Sequence, residues 1–356
     1  MRLLTKLTLF TIFLLLAGHT QAQQPIMIPD ILGFKTIQAD FHTHTVFSDG
    51  LVWPTVRIHE AAREGIDAIS ITDHIEYRPF SNDVIGNHNR AYEIARPEAD
   101  RRDVILIRGS EITRAMPPGH FNAIFLTDSE ALVHDDWRES LAAASRQNAF
   151  IFWNHPSWRA QQPDTTLWWA EHTEVLERGW LHGIEVGNGN MLCEYSFQWC
   201  LDKNLTMIGT SDAHQPIQAE VDFANGGHRT MTLVFARERS PEGIREALDN
   251  QRTVVFINNK LVGREQFIRP LFENSIEVID MERGSTQTSL YVANHSGLTF
   301  HIKSTVNDVV VLDEIQPHSR HRVTFPVPAR GSDVNIEVTN LLIRPGQGLQ
   351  YSFRID

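Results

Sequence analysis

The sequence predicts an α/β domain followed by a smaller β domain, and three patterns support this prediction. Between residues 35 and 265, segments with the signatures of strands and helices alternate along the chain. After about residue 270 the segments are short and β-branched, and the eight tryptophans all lie earlier, between Trp53 and Trp199. Histidine and carboxylate residues recur where the predicted strands end. We therefore expect an α/β barrel or a doubly wound sheet, followed by a small β-sandwich.

Residues 1–22 have the pattern of a secretory signal peptide. Two basic residues, Arg2 and Lys6, lead into an apolar run over residues 7–17, and Ala22 is a small residue suited to cleavage. The run is too short to cross a bilayer, and an uncleaved anchor is the alternative. We expect export to a bacterial periplasm, cleavage near Ala22, and no stable membrane insertion after cleavage.

The chain is acidic, with a formal net charge of −12 that becomes −14 once Arg2 and Lys6 leave with the signal peptide. Such a surface repels polyanions, so we expect no polymeric nucleic acid as a partner. A small anionic molecule remains a suitable partner if bound metal ions make one site locally positive.

Helix boundaries in residues 23–270 follow standard end signals. One predicted helix runs from Pro54 to Glu64 and stops at Gly65, and another begins at Ser240 and Pro241. A further predicted helix carries both cysteines, Cys193 and Cys200, about 10 Å apart, which is too far for a disulfide. We expect both to be buried thiols.

The predicted strands are Ile37–Phe41, Ala68–Thr72, Val104–Ile107, Asn122–Leu126, Phe150–Trp153, Gly183–Val186, Leu205–Gly209 and Met231–Phe235.

Residues 271–356 form the predicted β-sandwich. We expect this domain to brace the first one, with sugar or protein binding as the alternative role. Its strands are short and separated by turn residues. They are Ser289–Ala293, Thr299–Ile302, Asp308–Leu312, Arg322–Val327 and Asn335–Val338.

Metal-ligand residue types collect at the predicted strand ends. His42 and His44 follow the first strand, and residues i and i+2 of an extended chain point the same way, so both can reach one ion. Alone this pair is weak, because the chain has 17 histidines. The later strand ends supply more ligand types, whereas His120 precedes its strand and must be carried in by a loop. The candidate ligands are His42, His44, Asp49, His74, Glu111, His120, His155, Asp212 and His214.

These nine residues predict one site, because barrel chemistry lies at the C-terminal ends of the strands. Imidazole and carboxylate donors suit zinc, manganese or ferrous iron, which the sequence does not distinguish. The lack of thiolate ligands argues against a structural cysteine–zinc site.

The motif set over residues 38–258 resembles the PHP (polymerase and histidinol phosphatase) superfamily, with every ligand position filled. The resemblance implies a PHP metal-dependent hydrolase domain over residues 23–270, built as a distorted seven-stranded (βα) barrel with three divalent metal ions. Residues 52–55, 73–78, 109–114 and 119–122 resemble, more narrowly, the exported Sb-PDE-type phosphodiesterase branch.

The resemblance also implies how the ligands divide among three ions. His42, His44, Glu111 and Asp212 would hold the first ion, Glu111 would bridge to a second held by His120 and His155, and Asp49, His74 and His214 would hold the third. Asp40 and Asp73 adjoin ligands and are expected to orient them.

The expected activity is metal-dependent hydrolysis of a small organic phosphodiester. Three divalent ions, offset by three carboxylates and a hydroxide, leave a positive site that attracts a phosphate ester. The metals lower the pKa of bound water from 15.7 toward ~7, so a metal-bridging hydroxide beside Glu111 would attack phosphorus at this trinuclear centre.

Substrate contacts are less specific in the sequence. Arg78, Arg114 and Arg229 are candidates to pair with phosphate oxygens, and His228 is a candidate leaving-group acid. For each of them a surface salt bridge is an equal alternative. A phosphomonoesterase on the same centre is the second functional hypothesis, and a non-catalytic binding protein is the third.

Overall fold

A computed structural model describes residues 25–306, 308–326 and 333–354. The predicted signal peptide, residues 1–22, lies outside these residues. In the part of the chain that is described, no helix is long and apolar enough to cross a membrane.

Eighteen strands and eight α-helices make up the described fold. The strands are β1 (Lys35–Asp40), β2 (Ala68–Ile71), β3 (Ile105–Ile112), β4 (Phe121–Ile124), β5 (Phe150–Trp153), β6 (Gly183–Asn188), β7 (Met191–Leu192), β8 (Thr206–Thr210), β9 (Met231–Ala236), β10 (Thr253–Ile257), β11 (Lys260–Gly263), β12 (Ile276–Arg283), β13 (Gln287–Asn294), β14 (Phe300–Val306), β15 (Val309–Ile315), β16 (Arg320–Pro326), β17 (Val334–Arg344) and β18 (Gln347–Phe353). The helices are α1 (Pro54–Glu64), α2 (Arg90–Arg102), α3 (Trp137–Arg146), α4 (Ala170–Glu177), α5 (Glu194–Asp202), α6 (Ile217–Glu220), α7 (Pro241–Asp249) and α8 (Glu265–Ser275), with 3₁₀ turns at Glu130–Leu132 and Phe223–Asn225.

The strands of the first domain form a mixed sheet in the order β9–β1–β2–β3–β4–β5–β6, with β8 beside β6. β1, β2 and β3 are parallel, and so are β5, β6 and β8, but β4 runs antiparallel to both β3 and β5. Between β8 and β9 the contact is made by a side chain, since the Thr232 hydroxyl bonds both the N–H and the carbonyl of Gly209. The α/β class is confirmed, and the sheet is larger and more mixed than the implied seven-stranded barrel.

Burial explains why several strands read as unbroken apolar runs. Every residue of β2, β5, β8, β9 and β10 is buried, as expected for strands covered on both faces. Helix ends follow the sequence signals: α1 has Pro at its start and Gly65 in the left-handed region (φ 78°) at its end. The Ser240 hydroxyl accepts from the N–H of Gly243 and caps α7.

The C-terminal strands lie in two sheets that share one apolar core, and one of these sheets is continuous with the main sheet. β12, β13 and β16 make a three-stranded antiparallel sheet, whereas β14, β15, β17 and β18 continue the main sheet through the parallel pairing of β17 with β11. Phe235 of β9 and Phe325 of β16 belong to one apolar core. The expected boundary at residue 270 falls inside α8. This arrangement suits the bracing role, because the two parts share both sheet and core.

The two cysteines are buried and unpaired, as predicted. The Cys193 sulfur accepts from the N–H of Ser196 and caps α5, so the helix begins just after Cys193 and contains only Cys200 of the two cysteines. Burial raises the pKa of the Cys200 thiol, so this group stays protonated.

Candidate metal centre

Two short pairings beyond the regular strands bring the ligand segments together. Residue 43 pairs with residue 213, so that the N–H of His44 donates to the carbonyl of Ala213 and the N–H of Asp212 donates to the carbonyl of His42. His74 pairs in the same way with Glu111. Parallel pairing sets equivalent positions side by side, which is why ligands distant in sequence share one edge of the sheet.

His120 reaches the same edge because of the direction of β4. This strand is antiparallel to β3 and β5, so its first residue lies beside their last residues, with Phe121 opposite both Ile112 and Trp153. The carbonyl of His120 also accepts from the N–H of Asn154. A ligand that precedes its strand is therefore placed with those that follow theirs.

One group of ligands is centred on Asp49. Its Oδ1 lies 3.4 Å from the Nε2 atoms of both His74 and His214 and 3.8 Å from Nδ1 of His44. The donor atoms of these four residues lie close enough together to hold one metal ion.

A second group contains His42, His44 and Asp212. Asp212 Oδ1 lies 3.1 Å from Nε2 of both histidines. The backbone of Asp212 is in the left-handed region (φ 53°), which is uncommon for residues other than Gly, although Asn, Asp and His adopt it more often than the rest. Strain of this kind is held by the surrounding structure and is common at functional sites.

The third group contains His74, Glu111 and His120, and Glu111 links it to the others. Glu111 Oε2 lies 3.0 Å from Nδ1 of His74 and 3.2 Å from Nε2 of His42, while Oε1 lies 2.8 Å from Nδ1 of His120. His155 Nε2 is 3.6 Å from Oε1. All nine candidate ligands therefore lie around one site, with the Glu111 carboxylate near its middle.

Electrostatics at the site favour cations. Burial opposes ionisation of Asp49, but the neighbouring rings of His214 and His74 hold the pKa of its carboxyl well below the usual range. Burial likewise opposes protonation of His74 and His214, yet the carboxylates around them raise the pKa to about 10 for His74 and about 9 for His214. Metal binding would displace these protons and take over the interaction with the carboxylates.

Glu185, which the sequence analysis missed, orients two ligands. Its Oε1 accepts from Nδ1 of His42 at 2.7 Å and from the Thr210 hydroxyl at 2.6 Å, and its Oε2 accepts from the N–H of His155 at 2.6 Å. Because Nδ1 of His42 is committed to Glu185, its Nε2 faces the site. The sequence signal was an acidic residue inside the apolar strand Gly183–Asn188.

Neutral side chains also hold ligands in place. Nδ2 of Asn154 donates to Glu111 Oε1 at 2.9 Å, and Nδ2 of Asn188 donates to Asp212 Oδ2 at 3.1 Å. The Thr113 hydroxyl lies 2.6 Å from Nδ1 of His74.

Asp40 and Asp73, expected to orient ligands, act on ligand segments and not on the imidazole rings. Asp73 accepts from the N–H of Thr45 at 2.6 Å and from the Ser48 hydroxyl at 2.7 Å. Asp40 accepts from the Ser211 hydroxyl at 2.6 Å, next to the ligand Asp212. Both carboxylates therefore fix loops that carry ligands.

The three candidate arginines all have hydrogen-bond partners within the described chain, and Arg229 is also too buried to reach a substrate. Arg229 is 1% exposed, and its guanidinium donates to Asp40 and Glu64. Arg78 donates to the backbone carbonyls of residues 47 and 86. Arg114 pairs with Glu76 at 2.9 Å and donates to the carbonyl of residue 134, while its buried Nε has no hydrogen-bond partner among the described residues. The roles of Arg78 and Arg114 toward substrate stay predictions.

His228 also differs from its expected role as a leaving-group acid. Its Nε2 accepts from the N–H of Asn259 at 3.0 Å, so Nδ1 carries the proton and donates it to the carbonyl of Arg229 at 2.9 Å. The ring stacks on Phe256 with 3.8 Å between centroids. Both nitrogens are hydrogen-bonded within the chain and burial lowers the pKa of the ring, which favours a structural role over proton donation.

Comparison with known proteins places the chain among its relatives. No family model matches it. A crystal structure from Bacteroides vulgatus, of a two-domain protein containing a predicted PHP-like metal-dependent phosphoesterase, is 50% identical, with a TM-score of 0.90 over 94% of this chain and 100% of that one. The chain belongs to this PHP-like family. This confirms the resemblance stated from the motifs.

Two other comparisons are more limited. A Bifidobacterium adolescentis structure, proposed to be a metal-dependent phosphoesterase, is 17% identical, with a TM-score of 0.38 over 49% of this chain and 87% of that one. An uncharacterized protein of Methanocaldococcus jannaschii is 38% identical over 78 residues, which are 22% of this chain. The match spans 34% of the length of that relative.

The donor set of this PHP-like chain fits divalent metal ions. Asp49 Oδ1, Asp212 Oδ1 and His155 Nδ1 are buried without a hydrogen-bond partner among the described residues. Buried polar atoms are nearly always satisfied, and a bound cation would satisfy these carboxylate oxygens. Oxygen and imidazole donors match zinc, manganese or iron.

Proposed function

We propose that the chain is a metal-dependent phosphoric ester hydrolase that acts on small organic phosphodiesters. The observation that carries this proposal is the joining of three ligand groups into one site through Glu111, His44 and His74. The inner ligands are buried, whereas the side chains of Asp49 and His214 are 24% and 34% exposed and form the open side. A substrate can approach from there.

Three divalent ions, zinc, manganese or iron, are proposed for the three groups. When bound, they would supply positive charge for the phosphate and acidify a water molecule. The chain's own residues keep the ligands in place for this chemistry. Glu185 fixes the ring of His42, Asn154 fixes the carboxylate of Glu111, and Asn188 fixes that of Asp212.

The partners that the three candidate arginines already have within the chain support a diester over a monoester. The phosphate of a monoester carries a second negative charge near neutral pH, and proteins commonly match such groups with a bidentate arginine. Arg78, Arg114 and Arg229 each have partners within the chain. A diester, with one negative charge, needs no such partner beyond the metals.

The test compares bis(4-nitrophenyl) phosphate with 4-nitrophenyl phosphate, using protein loaded with Mn²⁺. We expect faster turnover of the diester, and Glu111→Gln should lower it by at least about 100-fold, since even the loss of an outer partner of a ligand costs 10–100-fold. Glu277→Gln, an exposed change in β12, serves as the control. Preference for the monoester would favour the second hypothesis, and hydrolysis of neither would favour a binding protein.

Export and the nature of the partner are also proposals. The pattern of residues 1–22 supports export to the periplasm, and the charge of −12 supports a small phosphate ester over nucleic acid. Mass spectrometry of protein from a periplasmic extract would show whether the mature chain starts after Ala22.

A further inference from the structure

A cavity of about 640 Å³ lies beside the metal centre. Gly189 and Ser211 line it, and they are the chain neighbours of Asn188 and Asp212, which are joined by a hydrogen bond of 3.1 Å. Glu220 lines it as well, and its Oε1 accepts from the N–H of the ligand His214 at 2.8 Å. A group bound in this cavity would therefore lie next to the Asp49 and Asp212 ligand groups.

The lining of this cavity is rich in neutral amides. Four asparagines come from three separate segments: Asn190 follows β6, Asn225 ends a 3₁₀ turn, and Asn258 and Asn259 form the turn between β10 and β11. Among the described lining residues none is Lys or Arg. An amide offers both a donor and an acceptor, which is the pattern that a hydroxyl group needs.

Several of these groups build the cavity wall, and others are free to bind. Asn258 Nδ2 donates to the carbonyl of Asn190 at 3.0 Å, and Asn225 Nδ2 donates to Asp222 at 2.6 Å. Within the described chain, the side-chain amides of Asn190 and Asn259 have no hydrogen-bond partner, and both residues are exposed. Hydrogen bonds within the protein therefore hold the cavity wall in place, while the side-chain amides of Asn190 and Asn259 remain available to a ligand.

The charged lining residues select against a second anion. The two carboxylates, Glu220 and Asp222, already accept from the N–H groups of residues 214 and 215 and from Asn225. Their charge would repel a carboxylate or another phosphate. Because their oxygens are partly occupied by amide donors, they are weaker partners for a cation than free carboxylates would be.

We propose that this cavity binds a neutral, hydroxyl-rich alcohol group of the substrate, so that the preferred ester is a phosphodiester of a sugar or polyol. This inference rests on the proposed hydrolase function. His228 completes the wall, because its ring is held between Phe256 and the turn at Asn259. This gives the residue a positioning role in place of the acid role expected from sequence.

The test uses four diesters that share a 4-nitrophenyl group and differ in the second alcohol: glycerol, propan-1-ol, choline or glycolate. For metal-loaded protein we expect kcat/KM for the glycerol ester to exceed that for the propyl ester roughly tenfold, as one or two hydrogen bonds supply, mainly through KM. The glycolate ester should be the poorest substrate. Equal values for the glycerol and propyl esters, or preference for the choline ester, would overturn the proposal.

Two variants locate the preference. Asn190→Ala removes a free amide from the cavity and should abolish the advantage of the glycerol ester. Asn274→Ala is the matched control, because Asn274 is an exposed asparagine of α8 that donates to the carbonyl of Asp30. The control should keep both the activity and the preference. If the advantage survives in Asn190→Ala, the cavity is not its source and the proposal fails.

A binding measurement separates this proposal from the proposed function. Saturation-transfer NMR with methyl α-glucopyranoside reports binding to the full chain without any turnover. If no diester is hydrolysed, the hydrolase function fails, and the cavity is judged on binding alone. Transfer that is lost in Asn190→Ala and kept in Asn274→Ala supports a hydroxyl site, and absence of transfer to the wild-type chain then rejects it.

Discussion

Two buried polar clusters lie in the same part of the sheet, and they differ in how their buried carboxylates are neutralised. In the arginine cluster, Arg229 pairs with Asp40 and Glu64, and each of the three is at most 5% exposed. In the metal cluster, Glu111, Asp49 and Asp212 face histidines, and two carboxylate oxygens have no hydrogen-bond partner among the described residues. The first cluster contains its own cation, and the second leaves room for one from outside.

This difference in how the carboxylates are neutralised distinguishes a structural cluster from a ligand-binding one. Burial of an ion pair is tolerated when all its polar atoms are satisfied, and such a cluster needs no ligand. A carboxylate–imidazole cluster with unsatisfied atoms is complete only with a bound cation. The two are also connected, because Asp40 accepts from the hydroxyl of Ser211 beside the ligand Asp212. The arginine cluster thus supports the backbone of the metal cluster.

The largest expected effect comes from breaking the arginine cluster. Arg229→Met leaves the carboxylates of Asp40 and Glu64 buried without their cation, which should lower the free energy of unfolding by about 3–5 kcal/mol. Urea unfolding of the metal-free chain measures this. The triple variant with Asp40→Asn and Glu64→Gln should recover part of the loss. A single variant as stable as wild type would contradict the account of this cluster.

The next effect distinguishes histidines in the two kinds of surroundings. His172 is buried away from carboxylates, accepts from the N–H of Trp169 and donates to the carbonyl of Pro118. Burial lowers its pKa to about 4 from 6.5. Above pH 6.5 the ring is neutral in both folded and unfolded chains, so its contribution to stability is complete there.

As the pH falls from 6.5 to 4, only the unfolded chain takes up this proton, and stability is lost. We expect the loss to reach about 3 kcal/mol at pH 4. Unfolding of wild type and His172→Gln at pH 7 and pH 4 isolates the contribution of His172, since the other histidines are common to both. The stability difference between the two proteins should shift by that amount in favour of the variant. An unchanged difference would show that His172 titrates normally.

Much of the metal cluster was predictable because its signals are local. His42 and His44 follow a strand, and the two-residue period places both on one side. His74 and Asp212 also follow strands, Glu111 is the last residue but one of β3, and parallel strands end at the same edge. His120 required the resemblance, because the reversed direction of β4 is set by its pairing with β3 and β5 and has no local signal.

The arginine cluster was not predictable in the same way. Arg229 lies 189 residues from Asp40 and 165 from Glu64, so nothing near it in sequence shows its partners. The pairing of β17 with β11 is also long-range. A run of short strands in the sequence therefore predicts a sandwich but not its connection to the main sheet. Glu185 is an intermediate case: its apolar strand was predicted, but the histidine that it orients lies 143 residues away.

A smaller effect tests the charged partner within the metal cluster. Glu185→Gln should lower metal affinity 10–100-fold, as losses of carboxylates that orient metal-bound histidines do. Competition with a chromophoric chelator measures the affinity for Zn²⁺. Glu98→Gln is the control, since Glu98 is similarly buried but pairs with Arg102 on α2, away from the ligand segments. It should change stability and leave metal affinity unaltered.

The smallest expected effect concerns a neutral partner of the metal cluster. Thr113→Val keeps the shape of the side chain and removes the hydroxyl that lies 2.6 Å from Nδ1 of His74. One neutral hydrogen bond is worth about 1 kcal/mol, so Zn²⁺ affinity should fall by less than about tenfold. Thr127→Val, whose hydroxyl contacts Gln147 at an exposed site, is the matched control. Thr113→Val could instead weaken Zn²⁺ binding as much as Glu185→Gln does. In that case a hydroxyl holds its histidine as firmly as a carboxylate, and the charge of the orienting group does not determine metal affinity.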